Sequence, residues 1–83
     1  MRIGVIGGGS FGTALAKLLA ELDHDVIMWC HSAEVAHGVN ERHENLAYLS
    51  GVVLPEQLRA TDSIAVATAQ REFLVAEIGR AHV

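Results

Sequence analysis

The stretch "RIGVIGGGSFGTALAKLLA", residues 2–20, leaves this chain few folds. "RIGVIG" suits a buried strand leading into a turn. Beyond it Phe11, Ala14, Leu15, Leu18, Leu19 and Leu22 recur at steps of three and four. That spacing predicts a helix from about Ser10 to Leu22 with these residues as its buried face and Lys17 and Glu21 off it. Between the two stand Gly7, Gly9 and Gly12 at G-x-G-x-x-G spacing, which is weak evidence alone but gains a physical reading between a strand and a helix. Gly7 lets the chain leave the strand in a tight turn, Gly9 lacks the Cβ that would hold the backbone away from a pyrophosphate, and Gly12 lets the helix pack close on the first strand. The free N–H groups from Ser10 to Thr13 then face the anion, and the helix dipole adds about 0.3–1 kcal/mol. No Lys or Arg lies between Ile3 and Ala16, so backbone amides must do this binding. No Gly-Lys-Ser/Thr follows, which excludes a P-loop.

The rest of the chain keeps alternating. "DVIMWC" (25–30) reads as a second strand, apolar on both faces, and Ser32 can N-cap a helix over 33–43. "YLSGVVLP" (48–55) reads as an irregular connection stopped by Pro55, with a weak edge strand near Leu58–Thr61. Asp62 or Ser63 can then cap a short alanine-rich helix to about Gln70, and "EFLVA" (72–76) reads as another buried strand. Strand and helix in alternation imply a parallel sheet with right-handed crossovers. The fold class is therefore α/β, the N-terminal half of a Rossmann-type doubly wound sheet.

Composition narrows the function. The 83 residues fit one small domain, and 51% are apolar, enough for a packed core. A net charge of −4 with scattered basic residues argues against a nucleic-acid partner. The single cysteine, Cys30, cannot form an internal disulfide and fits a reducing, cytoplasmic setting. No apolar run approaches the roughly eighteen residues of a membrane span, and the glycine-broken N-terminus does not read as a signal peptide. The histidines at 24, 31, 37, 43 and 82 have no metal-ligand spacing, so no metal site is expected. Ser10 and Thr13 lack an adjacent base, and the charged residues from Glu34 to Glu44 read as a solvated helix face. No complete hydride-transfer site is present, and no catalytic residue is assigned.

The end of the second strand bears on cofactor choice. NAD-selective sites carry Asp or Glu there for the ribose 2′-OH. This chain has Trp29, Cys30, His31 and Ser32; Asp25 opens the strand and Glu34 lies in the next helix. Lacking that carboxylate, the site forgoes a charged hydrogen bond of about 1.5–3 kcal/mol to NAD and any repulsion of a 2′-phosphate. His31 and Ser32 can both donate to such a phosphate, so NADP is accepted or preferred beside NAD. The competing reading of His31 is an exposed histidine at a strand end. Trp29 is read as packing in the core rather than stacking on adenine.

Three stretches together carry a family likeness: "GGGSFGTALA" (7–16), "MWCHS" (28–32) and "VNERHENLAYLSGVVLPEQLRAT" (39–61). They resemble the N-terminus of bacterial-type NAD(P)-dependent glycerol-3-phosphate dehydrogenase. The third carries Asn40, Arg42, Asn45, Tyr48, Leu49, Gly51, Leu54 and Pro55 of the family pattern. The likeness covers residues 1 to 76. It implies reduction of dihydroxyacetone phosphate to sn-glycerol 3-phosphate with NAD(P)H for phospholipid synthesis, by a cytoplasmic enzyme that is a homodimer when complete. By the same resemblance Ser10 and Phe11 touch the cofactor beside the pyrophosphate, His31 its adenosine end, and Tyr48 is a further cofactor contact. Phe11 replaces the more usual Trp, Ser50 stands where the family prefers Pro, and Leu22-Asp23 replaces Asn-Gly. The last change places Asp23 where a left-handed conformation is expected, tolerable for Asp though less easy than for Gly.

The tail reads differently. A common sequencing adapter preceded by one G translates as Glu-Ile-Gly-Arg-Ala-His-Val and a stop, which is the sequence of residues 77–83. The expectation is that residues 1–76 are a partial dinucleotide-binding domain and 77–83 a non-native adapter read-through. On that reading the family's catalytic lysines and helical substrate domain are absent, and the isolated chain is marginally stable and inactive. The fourth strand is expected to pair beside the first, leaving one side of the core uncovered. Two alternatives are another Rossmann reductase, of the 6-phosphogluconate or ketopantoate type, and a stand-alone dinucleotide-binding module without catalysis. "GTALA" and "YLSG" speak against the first.

Overall fold

Aliphatic residues crowd two short stretches, and each becomes a strand: β1 (Arg2–Ile6) and β2 (Asp25–Trp29). Both have an exposed first residue, three buried residues and a half-buried last one, as befits strands covered on both faces. The computed structural model describes residues 1–76 and joins the two strands through helix α1 (Ser10–Glu21). Next come α2 (Ala33–Arg42), β3 (Arg59–Thr61), α3 (Ile64–Thr68) and β4 (Phe73–Ala76). The tail at 77–83, with the adapter reading attached to it, lies outside the described residues.

The strands form one parallel sheet in the order β3-β2-β1-β4. The chain therefore steps outward from β1 through β2 to β3, then crosses back to the other side of β1. In doubly wound folds such a reversal opens a crevice at the carboxyl ends of the strands. This is the Rossmann-like arrangement expected from the alternation. Its core gathers Val5, Val26 and Met28 from the sheet with Val39 of α2. Leu54 and Leu58, from the irregular connection, are buried in the same cluster.

Caps set the helix ends. Ser32 Oγ accepts a hydrogen bond from the Val35 N–H at 3.2 Å, and Ser63 Oγ accepts one from Val66 at the same distance. Ser63 rather than Asp62 is thus the cap of α3, which ends at Thr68, short of Gln70. Asp23 takes the left-handed conformation expected of it, with φ of 69°. Asn40 docks α2 on the edge strand: its Nδ2 donates to the Ala60 carbonyl and its Oδ1 accepts the Ala60 N–H, both at 2.9 Å.

The structure overturns two expectations. The buried face of α1 is Gly12, Thr13, Ala16 and Ala20, not the leucine stripe. Ala14 is exposed, Phe11, Leu18 and Leu22 are exposed by 68, 52 and 60%, and Leu15 and Leu19 are half-buried. A Cβ on Gly12 would collide with the Gly7 carbonyl, so the helix enters hard against the turn. Only small side chains fit at that separation; Leu18 and Leu22 turn outward, while Leu19 packs against the margin of the core. The second correction concerns residues 72–76, read as a buried strand. Phe73 and Leu74 of β4 are more than half exposed, because among the described residues β4 packs on β1 and no helix is laid across its faces as on the other strands.

Candidate functional site

The turn after β1 stays tied to the sheet: the Gly7 N–H donates to the Trp29 carbonyl at 3.1 Å. Gly7 itself has φ of 144°, a region L side chains rarely adopt. α1 then begins with Gly9 at its N-cap and no side-chain cap, whereas serines cap α2 and α3. Its first turn also lacks an acidic residue. The amides at this helix start are therefore free of the side-chain acceptors that the other helices supply, which suits an anion.

A cleft of about 310 Å³ opens beside this helix start, at the carboxyl ends of β1 and β2. Ile6 and the glycines Gly7, Gly8 and Gly9 line one side, Trp29 to Ser32 another, and Val35 and Tyr48 complete it. Of the residues singled out in the sequence, Gly7, Gly9, His31, Ser32 and Tyr48 line the cleft. Ser10, Phe11 and Gly12 do not. Ser10 Oγ donates to the Tyr48 carbonyl at 2.6 Å, Phe11 projects from the first turn of α1, and Gly12 is buried under the turn. Ser32 Oγ accepts the cap bond of α2 but keeps its own proton to donate. His31 is exposed, its ring 6.1 Å from that of Trp29.

Trp29 corrects another expectation. It lines the cleft half-buried instead of filling the core. An indole N–H needs a partner when buried, and here Nε1 donates to the Asp62 carbonyl at 3.0 Å, just past the end of β3.

Sequence reasoning missed three parts of the site. Gly8 packs on Cys30: a Cβ there would sit 3.0 Å from Sγ. Cys30 is buried, and burial, aided by the charge of Asp62, pushes its thiol up to about 11. It is a neutral wall at pH 7. The third part is Asn45, buried in the connection after α2. Its Nδ2 donates to the Gly8 carbonyl at 3.1 Å and to Thr13 Oγ1 at 2.9 Å. Asn45 did stand in the stretch that carries the family likeness, but its partners lie 37 and 32 residues away, and no local pattern marks them. Among the described residues no group of three or more His, Cys, Asp or Glu could hold a metal, and no helix is long and apolar enough to cross a membrane.

The family model described as NAD-dependent glycerol-3-phosphate dehydrogenase N-terminus matches residues 2–83. The chain belongs to that family. It corresponds to the N-terminal dinucleotide-binding part of a group of NAD(P)-dependent oxidoreductases, which sets aside the other Rossmann reductases. The glycerol-3-phosphate dehydrogenase (NAD(P)+) of Leptospira biflexa is 40% identical over 75 residues, covering 90% of this chain and 22% of its own length. That of Lysinibacillus sphaericus is 44% identical over 77 residues, covering 93% of this chain and 23% of its own length. Among solved structures, glycerol-3-phosphate dehydrogenase from Saccharomyces cerevisiae superposes with a TM-score of 0.84 at 28% identity, over 94% of this chain and 26% of that one. The chain thus spans about a fifth of the length of the curated relatives it matches.

Proposed function

We propose that this chain holds the pyrophosphate of NAD(P)H against the uncapped start of α1, as the cofactor-binding part of an enzyme that reduces dihydroxyacetone phosphate to sn-glycerol 3-phosphate for phospholipid synthesis. The observation that carries the reading is the glycine turn and bare helix start opening on a cleft at the strand ends. The proposed cofactor residues are Gly7, Gly9, Ser10, Phe11, Gly12, His31, Ser32 and Tyr48. The Gly9 N–H and the amides of the first turn take the pyrophosphate, while Gly7 shapes the turn, its own N–H being engaged with the Trp29 carbonyl. Ser10 acts through its amide, since its hydroxyl is engaged with Tyr48. The adenosine end lies toward His31 and Ser32, where no carboxylate lines the cleft and a 2′-phosphate meets no repulsion.

Hydride transfer also needs a proton donor and anchors for the phosphorylated substrate. No described residue takes those roles in this reading, so the 83-residue chain binds cofactor without turnover. The complete enzyme of this reading is a cytoplasmic homodimer, with residues 1–76 as a partial binding domain and 77–83 as a non-native tail. Titration of the chain with NADPH, NADH and ADP, followed by calorimetry, tests the binding. Saturable binding of all three, NADPH at least as tightly as NADH, is expected. No binding of any would overturn the reading, and NADPH oxidation on adding dihydroxyacetone phosphate would overturn the division of labour.

A further inference from the structure

A side-chain amide costs free energy to bury unless its groups are paired. Asn45 is 1% exposed, and both ends of its amide are engaged. Nδ2 donates to the Gly8 carbonyl at 3.1 Å and to Thr13 Oγ1 at 2.9 Å, while Oδ1 accepts the Tyr48 N–H at 3.2 Å. Thr13 Oγ1 passes its own proton to the same Gly8 carbonyl at 3.3 Å. Two buried side chains thus hold one carbonyl of the glycine turn from inside.

That grip has a direction. In a trans peptide the carbonyl and the following N–H point opposite ways, and no peptide among the described residues is cis. Drawing the Gly8 carbonyl inward therefore turns the Gly9 N–H outward, on the side where Gly8 and Gly9 line the cleft. The same amide holds the backbone of Tyr48, whose carbonyl is fixed in turn by Ser10. One side chain links two walls of the cleft.

We propose that Asn45 is a positioning residue for the cofactor: it aims the Gly9 N–H at the pyrophosphate and sets Tyr48 beside it, touching no ligand itself. This rests on the dinucleotide reading above. A carboxylate cannot replace the amide. An aspartate in its place would have no donor for the Gly8 carbonyl and would draw the Thr13 proton to itself, leaving that carbonyl free to turn.

The test compares the 83-residue chain with its N45D, T13V and T13S variants, reading the Gly9 amide resonance in the free protein and the affinities for NADPH, ADP and adenosine 2′-monophosphate. The third ligand carries the adenosine end without a pyrophosphate. N45D is expected to move the Gly9 resonance and weaken NADPH and ADP tenfold or more, with adenosine 2′-monophosphate changed less than twofold. T13V weakens the same two ligands by a smaller factor, and T13S restores them. Equal losses for all three ligands, or an unmoved Gly9 resonance with unchanged affinities, would overturn the proposal by leaving Asn45 a structural residue only. Should N45D not fold, the contrast between T13V and T13S decides in the same terms. Should the parent chain bind none of the three, the dinucleotide reading falls and this one with it; if the parent binds and the variants match it, only the positioning role falls.

Discussion

Gly12 lies so close beneath the carbonyl of Gly7 that no methyl group fits between them. The obstructing atom is backbone, which cannot swing aside as a flexible side chain would. Gly12→Ala must therefore lift the first turn of α1 off the end of β1. Overpacking of this kind costs about 1–3 kcal/mol. We expect that loss in urea unfolding, together with weaker NADPH binding; a variant as stable as the parent would contradict the geometry.

The reversed face of α1 makes a second prediction, because hydropathy and structure disagree about its sign. Leu18 is 52% exposed and Ala16 is fully buried. Leu18→Lys should change stability by no more than about 0.5 kcal/mol. Ala16→Leu, which adds the residue hydropathy favours, should cost about 1–3 kcal/mol by forcing the helix from the sheet. Thermal melts of the two variants decide between the faces.

Asp25 opens β2 between two arginines, with Arg59 Nη2 at 2.5 Å and Arg71 Nη2 at 3.5 Å. The hydrogen bond from Arg59 is the largest influence on its carboxyl and, with the charges of both arginines, holds it below the ordinary value of 3.8 against the opposing effect of burial. A carboxylate whose folded value is depressed adds stability above its unfolded value, and loses it as pH falls through the folded one. Asp25→Asn should therefore be less stable than the parent near pH 7, by about 1 kcal/mol or less because Asp25 and Arg59 are exposed though Arg71 is buried, and the gap should narrow in high salt. The two should converge below pH 3.8. A gap that persists in acid would mean the arginines are held by something other than charge.

Cys30 offers a probe of the cleft wall. With its thiol raised to about 11 and its side chain buried, almost no thiolate exists at pH 8. A thiol-directed reagent should leave the folded chain unlabelled and label it rapidly in denaturant. Labelling of the folded chain at the rate of a free thiol would place Cys30 outside the packing described.

What could be read beforehand follows from the range of the interactions. The strand–turn–helix order, the Ser32 cap and the left-handed Asp23 depend on neighbours within a few residues, and the sequence displays them. The face of α1 does not, because Gly12, Ala16 and Ala20 repeat at the same helical spacing as the leucines and hydropathy favours the larger side chains. Only the depth at which the turn seats the helix chooses between them. Trp29 was misplaced because its partner, the Asp62 carbonyl, lies 33 residues on. The cleft was half legible: the glycines marked its floor, while the buried Asn45–Thr13 contact depends on a connection with no regular structure.

The sheet order also fixes when this domain can close during synthesis. β1 is made first and sits between β2 and β4, yet β4 is the last strand of the four. The Arg2 N–H bonds the Glu72 carboxylate across 70 residues of sequence. A nascent chain emerging from the ribosome therefore carries its founding strand with one flank bare until β4 has left the exit tunnel. Through that interval a chaperone has access to the flank of β1 that β4 later covers.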